Sequence, residues 1–220
     1  MIKCFMVRYS GRGRRYLRRY QRYSEDRPKC PGPWGYHNAD SPTIDVVDDP
    51  RDADGCWTLM HRRPELFPRD DPRWPVACTC GFAFSPDDEW QINVEHVYVD
   101  DQGGEHTLHD NTPGMMWECD WYFDPVREMR LLPQRIANAQ QGKDMLSLRY
   151  LTQHAAKRAP LVVCLPTGEH WCIDSKSKNG PGWTCEGEPP DLICTPSIQS
   201  ARWHGFLGSN GARPGELRPC

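Results

Sequence analysis

Apolar and polar residues alternate most regularly over residues 89–100 (EWQINVEHVYVD), where Trp90, Ile92, Val94, His96 and Tyr98 occupy every second position. A period of two places them on one face of an extended chain, so the pattern predicts a half-buried strand. Asp101, Gln102, Gly103 and Gly104 supply a turn, and residues 105–108 are predicted to pair back as a hairpin. The continuous apolar run at 161–165 (LVVCL) reads as a buried strand, 166–168 (PTG) as a turn and 170–174 (HWCID) as its returning partner. Shorter extended segments are expected at 2–7, at the apolar island 44–47 and at 192–198. Helical spacing is best over 125–141 (PVREMRLLPQRIANAQQ), with a break expected at Pro133, which has no backbone donor. Residues 142–159 read as a surface loop or short helix. Residues 11–22 (GRGRRYLRRYQR) read as a turn and a short helix, because Tyr16, Tyr20 and Tyr23 would share a helical face.

Between these elements, 28–36 (PKCPGPWGY) and 175–191 are too rich in proline and glycine to be regular. The reading is an α+β fold, mostly antiparallel β with short helices and long Pro/Gly-rich loops, and a candidate structural zinc site. Its parts are a basic arm (1–27), a cysteine-containing β-rich module (28–124), a helical connector (125–160) and a C-terminal hairpin module (161–220). Residues 28–220 can also be read as one domain.

Composition sharpens this picture. The 220 residues are 38% hydrophobic and include 21 prolines and 18 glycines, and the mean hydropathy is −0.76. Nine tryptophans, eight tyrosines and six phenylalanines argue against disorder and for a core built on bulky aromatics. No run approaches the ~18 apolar residues of a membrane span. Residues 1–7 hold only a short apolar stretch cut off by Arg8, so no secretion leader is expected. The expected setting is a cytoplasm, or a particle released from it.

Charge is unevenly placed. Residues 1–22 carry eight basic side chains and no acidic one, although the whole chain has 27 Lys and Arg against 30 Asp and Glu. A basic arm on an acidic body is the signature of an interaction segment. Arg12, Arg14, Arg15, Arg18, Arg19 and Arg22 are its candidate partner-binding residues. A protein surface, or the acidic body itself, is favoured over nucleic acid, because the net charge of −3 gives weak long-range attraction to phosphates.

Eleven cysteines, an odd number without a leader, point to metal ligands and buried thiols rather than a disulfide framework, although disulfides can form after release from a reducing compartment. The sharpest motif is Cys78-Thr79-Cys80-Gly81, two thiols on a glycine-closed turn that can grip one soft metal such as zinc. The preferred completing pair is Cys56 and His61. Cys30, His37 and Cys119 remain open alternatives. His106 and His109, three apart, sit among turn residues and read as surface histidines. His170, Cys172 and Asp174 share one face of a strand, but no nucleophile elbow or oxyanion loop accompanies them. Walker A, dinucleotide-glycine and zinc-deaminase patterns are absent from the sequence.

Several segments in order carry a resemblance: LRRY (17–20), CPGPWGYHNA (30–39), CTCGFAF with DDEWQ (78–91), TPGMMWECDWY (112–122), LPTGEHWCIDSKSKNGPGWTCEGEPPDLICTPSI (165–198) and WHGFL (203–207). Together they resemble an uncharacterised family of tailed-bacteriophage proteins. The CxCG pair and the terminal TPSI…WHGFL segment are also similar to a bacterial family regarded as metal-binding and found in some genomes beside ubiquitin-like operons. The resemblance implies a phage origin and adds weight to zinc at Cys78 and Cys80. It implies no activity. The expected function is a zinc-stabilised accessory or virion-associated phage protein that binds a phage or host protein. The alternatives are an early inhibitor of a host defence or host enzyme, and a metal-dependent hydrolase or transferase. In the WHGFL segment, Trp203 and Phe206 are expected to plug a core edge, with Gly205 permitting close backbone approach.

Overall fold

The computed structural model describes residues 1–21, 28–31, 35–48, 67–119, 123–176 and 182–220. The fold is mixed α/β, with mostly antiparallel sheets and two helices among the described residues. No helix among them is long and apolar enough to cross a membrane. The chain divides into two compact units, Tyr9–Val97 and a second made of Met1–Arg8 with Tyr98–Cys220.

The Tyr9–Val97 unit is organised by strand β2 (Phe5–Tyr20), which replaces the turn and helix expected over 11–22. The tyrosine spacing was ambiguous, since residues four apart share a face in a helix and in a strand alike. Acidic partner strands settle the choice. Strand β3 (Asn38–Asp40) and strand β4 (Asp45–Asp48) both pair antiparallel with β2. Their register places Arg18 opposite Asp40, Arg15 opposite Asp45 and Arg12 opposite Asp48. Opposite charges directly across a ladder favour that register. Strand β5 (Glu89–Asp100) lies beside β2, as the alternation at 89–100 predicts. A small apolar cluster of Leu17, Trp74 and Ile92 is backed by Ile44, Phe67 and Trp90.

In the other unit, β6 (Glu105–His106) turns back onto β5, with Tyr98 opposite His106 and Val99 opposite Glu105. The Asp100 carboxylate organises the expected turn by accepting from the Gln102 and Gly104 amides. Strand β7 (Met115–Glu118) pairs parallel with residues 5–6 and antiparallel with β8 (Leu161–Cys164). The predicted hairpin then forms, with β9 (His170–Cys172) pairing Val162 to Cys172 and Cys164 to His170.

A five-stranded antiparallel sheet adds β1 (Ile2–Lys3), β10 (Thr184–Glu186), β11 (Ile193–Gln199), β12 (His204–Leu207) and β13 (Glu216–Pro219), in the order β1-β13-β12-β11-β10. Core residues of this unit include Leu161, Val163, Leu165, Ile198, Leu207 and Leu217. Trp203 is buried at the core edge as expected, and a Cβ at Gly205 would lie 2.3 Å from the Arg218 carbonyl oxygen.

Helix α1 (Pro125–Gln140) starts where its sequence predicts, with the Asp124 carboxylate capping the Val126 and Arg127 amides. The expected break at Pro133 does not occur. Pro133 and Met129 both face solvent, so the Met129 carbonyl that loses its donor can be hydrated. The polar 142–159 segment contains helix α2 (Leu148–Gln153), capped by Ser147 and anchored by buried Tyr150 and Leu151.

Candidate metal centre

The site is built around the CxCG turn. Cys78 donates its amide to the Phe82 carbonyl at 2.8 Å, and Gly81 donates to the Cys78 carbonyl at 2.9 Å. An Ala77–Ala83 bridge closes the hairpin base. Gly81 has φ +90°, a left-handed conformation that a Cβ would strain. This tight turn projects the two thiols into one place.

The remaining ligands come from the segment between β2 and β3. The Cys30 amide bonds the Gly35 carbonyl at 3.2 Å, and the Gln21 amide bonds the His37 carbonyl at 2.8 Å. These contacts carry Cys30 and His37 to the CxCG turn. One potential ligand atom from each of Cys30, His37, Cys78 and Cys80 lies within 4.8 Å of all the others. Cys30 Sγ is 3.9 Å from Cys78 Sγ, and His37 Nδ1 is 3.1 Å from Cys80 Sγ. His37 and Cys78 are buried, Cys30 is half-buried and Cys80 is exposed.

The orientation of His37 is fixed from outside the cluster. Its Nε2 lies 3.1 Å from the Pro28 carbonyl oxygen. A carbonyl can only accept, so Nε2 carries the proton and Nδ1 presents its lone pair to the thiols. Such outer hydrogen bonds orient metal-ligating imidazoles. The Phe82 ring stacks on His37 with centroids 4.0 Å apart and planes 8° apart. Burial works against a charged Cys78 thiolate. Hydrogen bonds from the Cys80 and Asn38 amides and the Cys80 thiol outweigh it and lower the Cys78 thiol to about 6. Three soft sulfurs and one oriented imidazole nitrogen can hold a single metal ion.

Sequence reading identified Cys78 and Cys80 and left their completion open. The structure brings them together with Cys30 and His37. Cys56 and His61, the preferred completing pair, lie outside the described residues. Cys119 follows β7 in the other unit and does not join the cluster. The useful signal for Cys30 and His37 was their place in the Pro/Gly-rich CPGPWGYH sequence, a cysteine and a histidine seven positions apart.

The arginine segment is largely committed within the protein. Arg15 forks onto Asp45, with Nε 2.6 Å from Oδ1, and Arg18 forks onto Asp40 at 2.6 and 2.7 Å. Arg19 is buried, with its guanidinium carbon 3.6 Å from the Trp90 ring centroid and a hydrogen bond to the Ser85 carbonyl. Arg12 and Arg14 lie on the same strand, opposite Asp48 and Val46. Arg22 lies outside the described residues.

His106, His170, Asp174 and Cys172 make contacts within the protein. His106 Nε2 lies 2.8 Å from Asp100 Oδ2. His170 packs edge-on to Trp117. Asp174 is occupied by Arg158 and the Leu161 amide, at 2.7 Å from each. Burial pushes the Cys172 thiol up to about 11, which disfavours a nucleophilic thiolate. His204 Nε2 meets the Ser197 hydroxyl at 3.1 Å. Comparison with protein-family models, curated proteins and solved structures returns no match.

Proposed function

We propose that the protein is a zinc-stabilised binding module without catalytic chemistry, working as an accessory or virion-associated protein of a tailed phage. The observation that carries this reading is the convergence of three cysteines and one correctly oriented histidine on a single point. Zinc in structural sites takes four ligands at tetrahedral angles, and Zn–S bonds of ~2.3 Å imply sulfur–sulfur separations of about 3.8 Å. The Cys30–Cys78 separation of 3.9 Å fits that spacing without rearrangement. Four protein ligands fill the tetrahedron and leave no position for water or substrate, which supports a structural ion over a hydrolytic one. The ordered resemblance to tailed-phage proteins supports the setting. A role through protein contact follows from a metal that holds a surface in shape rather than reacting.

Native mass spectrometry of freshly purified, untagged protein tests the metal. One zinc per chain is expected, and a bare-chain mass from material never exposed to chelator would overturn the reading. Peptide mass spectrometry of purified particles tests the setting, since absence of the protein from them would remove the virion role.

A further inference from the structure

A second pair of thiols, remote in sequence from the metal ligands, faces across the five-stranded sheet. Cys185 lies on β10, the edge strand, and Cys194 on β11, and the antiparallel register places them directly opposite. Directly opposed residues project from the same face with Cβ atoms about 4.5–5.5 Å apart. A disulfide spans about 3.5–4.5 Å between Cβ atoms, so closure needs a movement of roughly 1 Å. An edge strand of three residues can supply that movement more readily than the middle of a sheet.

The two sulfurs differ in access. Cys194 is fully buried, and its contact with Cys185, with burial second, holds its thiol well above the ordinary cysteine range. Cys185 is half-buried and lines a cavity of about 380 Å³. Trp183, Leu192 and Pro189 form apolar parts of the wall, and the three cations Arg149, Lys157 and Arg158 outnumber its two carboxylates, Asp174 and Glu188. Arg158 is matched by Asp174. Arg149 donates to the neutral Gln153 amide oxygen at 3.0 Å. Among the described residues neither Arg149 nor Lys157 forms an ion pair, so the cavity favours a ligand with a negative group.

We propose that Cys185 and Cys194 form a reversible cross-strand disulfide by exchange with a small anionic disulfide admitted through this cavity. The Cys185 thiolate attacks one sulfur of the incoming disulfide. That S–S bond breaks, and the departing half leaves as a thiolate that takes up a proton. Cys194 then gives up its proton and attacks Cys185 Sγ, expelling the second small thiol. The protein loses two electrons and two protons, and one small disulfide becomes two thiols. The bond fastens β10, and with it the cavity wall bearing Trp183, to β11. The modification is expected when the protein leaves a reducing compartment.

Cys4 is the competing partner, since it shares the core cluster with Cys194. The experiment uses full-length protein incubated with oxidised glutathione, quenched by alkylation and digested with trypsin. No Lys or Arg separates the two cysteines, so both fall in the peptide spanning residues 179–202. That peptide is expected to lose two hydrogens and take no label, and to regain both label sites after dithiothreitol. Cys4→Ser should leave this result intact, and Cys185→Ser should abolish it. Persistent glutathione on Cys185, a Cys4–Cys194 cross-link, or two alkylated thiols in a protein shown to be folded would each overturn the proposal.

Discussion

The two units hold themselves together by different means. The unit of Met1–Arg8 and Tyr98–Cys220 buries a run of aliphatic side chains, among them Leu161, Val163, Leu165, Ile198, Leu207 and Leu217. A second cluster of Tyr150, Leu151 and Ala155 packs with Leu132 and Ile136 of α1. Among the described residues of the Tyr9–Val97 unit an apolar cluster of three buried side chains, Leu17, Trp74 and Ile92, is found, and its strands are decorated with arginines and aspartates. Small cores supply little net stability and are commonly supplemented by a metal or disulfide. The candidate metal centre lies wholly within the Tyr9–Val97 unit. The difference teaches that one chain can build one part on aliphatic burial and another on charge pairing beside a Cys/His cluster that could hold a metal ion.

Removing the metal should break the comparison most sharply. Structural zinc carries on the order of 10 kcal/mol of binding energy linked to folding. Chelation of the zinc-loaded protein should therefore release hydrogen-exchange protection around residues 76–84 and 35–48, while amides of β8 and β9 keep theirs. Equal loss in both units, or no loss in either, would show that the units do not differ in this way.

The reverse substitution is Trp171→Ala in the aliphatic core. Its expected cost is about 3–5 kcal/mol in urea unfolding, with zinc stoichiometry unchanged for the folded fraction. Asp174→Ala should cost about 3 kcal/mol, because it strands the Arg158 guanidinium and the Leu161 amide. A loss below ~1 kcal/mol would mean that water replaces the carboxylate there.

Acid tests the same unit more gently. Burial works against the Asp144 carboxylate, but Arg135, the Leu146 amide and Lys176 outweigh it and hold its pKa below the ordinary value. The folded value is the lower one, so its contribution is present above the unfolded carboxylate range, about pH 4, and is lost as pH falls through the folded value. Asp144→Asn should flatten that acid limb of the stability curve, measured by denaturant titration below pH 5. The smallest effect is expected for the half-exposed Arg18–Asp40 pair, at about 0.5–1 kcal/mol in a double-mutant cycle. A much larger coupling would show that charge pairing stabilises the Tyr9–Val97 unit more than its exposure suggests.

The sequence was readable where local physics decides structure. Alternation marked β5, the apolar run and turn marked the β8–β9 hairpin, and Asp124 before Pro125 marked the start of α1. The CxCG turn was legible because two thiols and a positive-φ glycine form a local device. The arginine segment was misread because tyrosines four apart satisfy both periods, and its extended form depends on acidic strands whose paired residues lie 18 to 36 positions away. The continuity of α1 through Pro133 was missed because proline's cost depends on whether the freed carbonyl meets water.

The amino-acid sequence by itself determined the hairpins, the helix start, the charge asymmetry and one half of a candidate metal site. Those features rest on interactions within a few residues. Only the tertiary structure brought Cys30 and His37 to the CxCG turn, gave the arginines their counter-charges and set Cys185 opposite Cys194. Each depends on loop paths and strand register, which are fixed by the simultaneous burial and pairing of distant segments rather than by any local spacing.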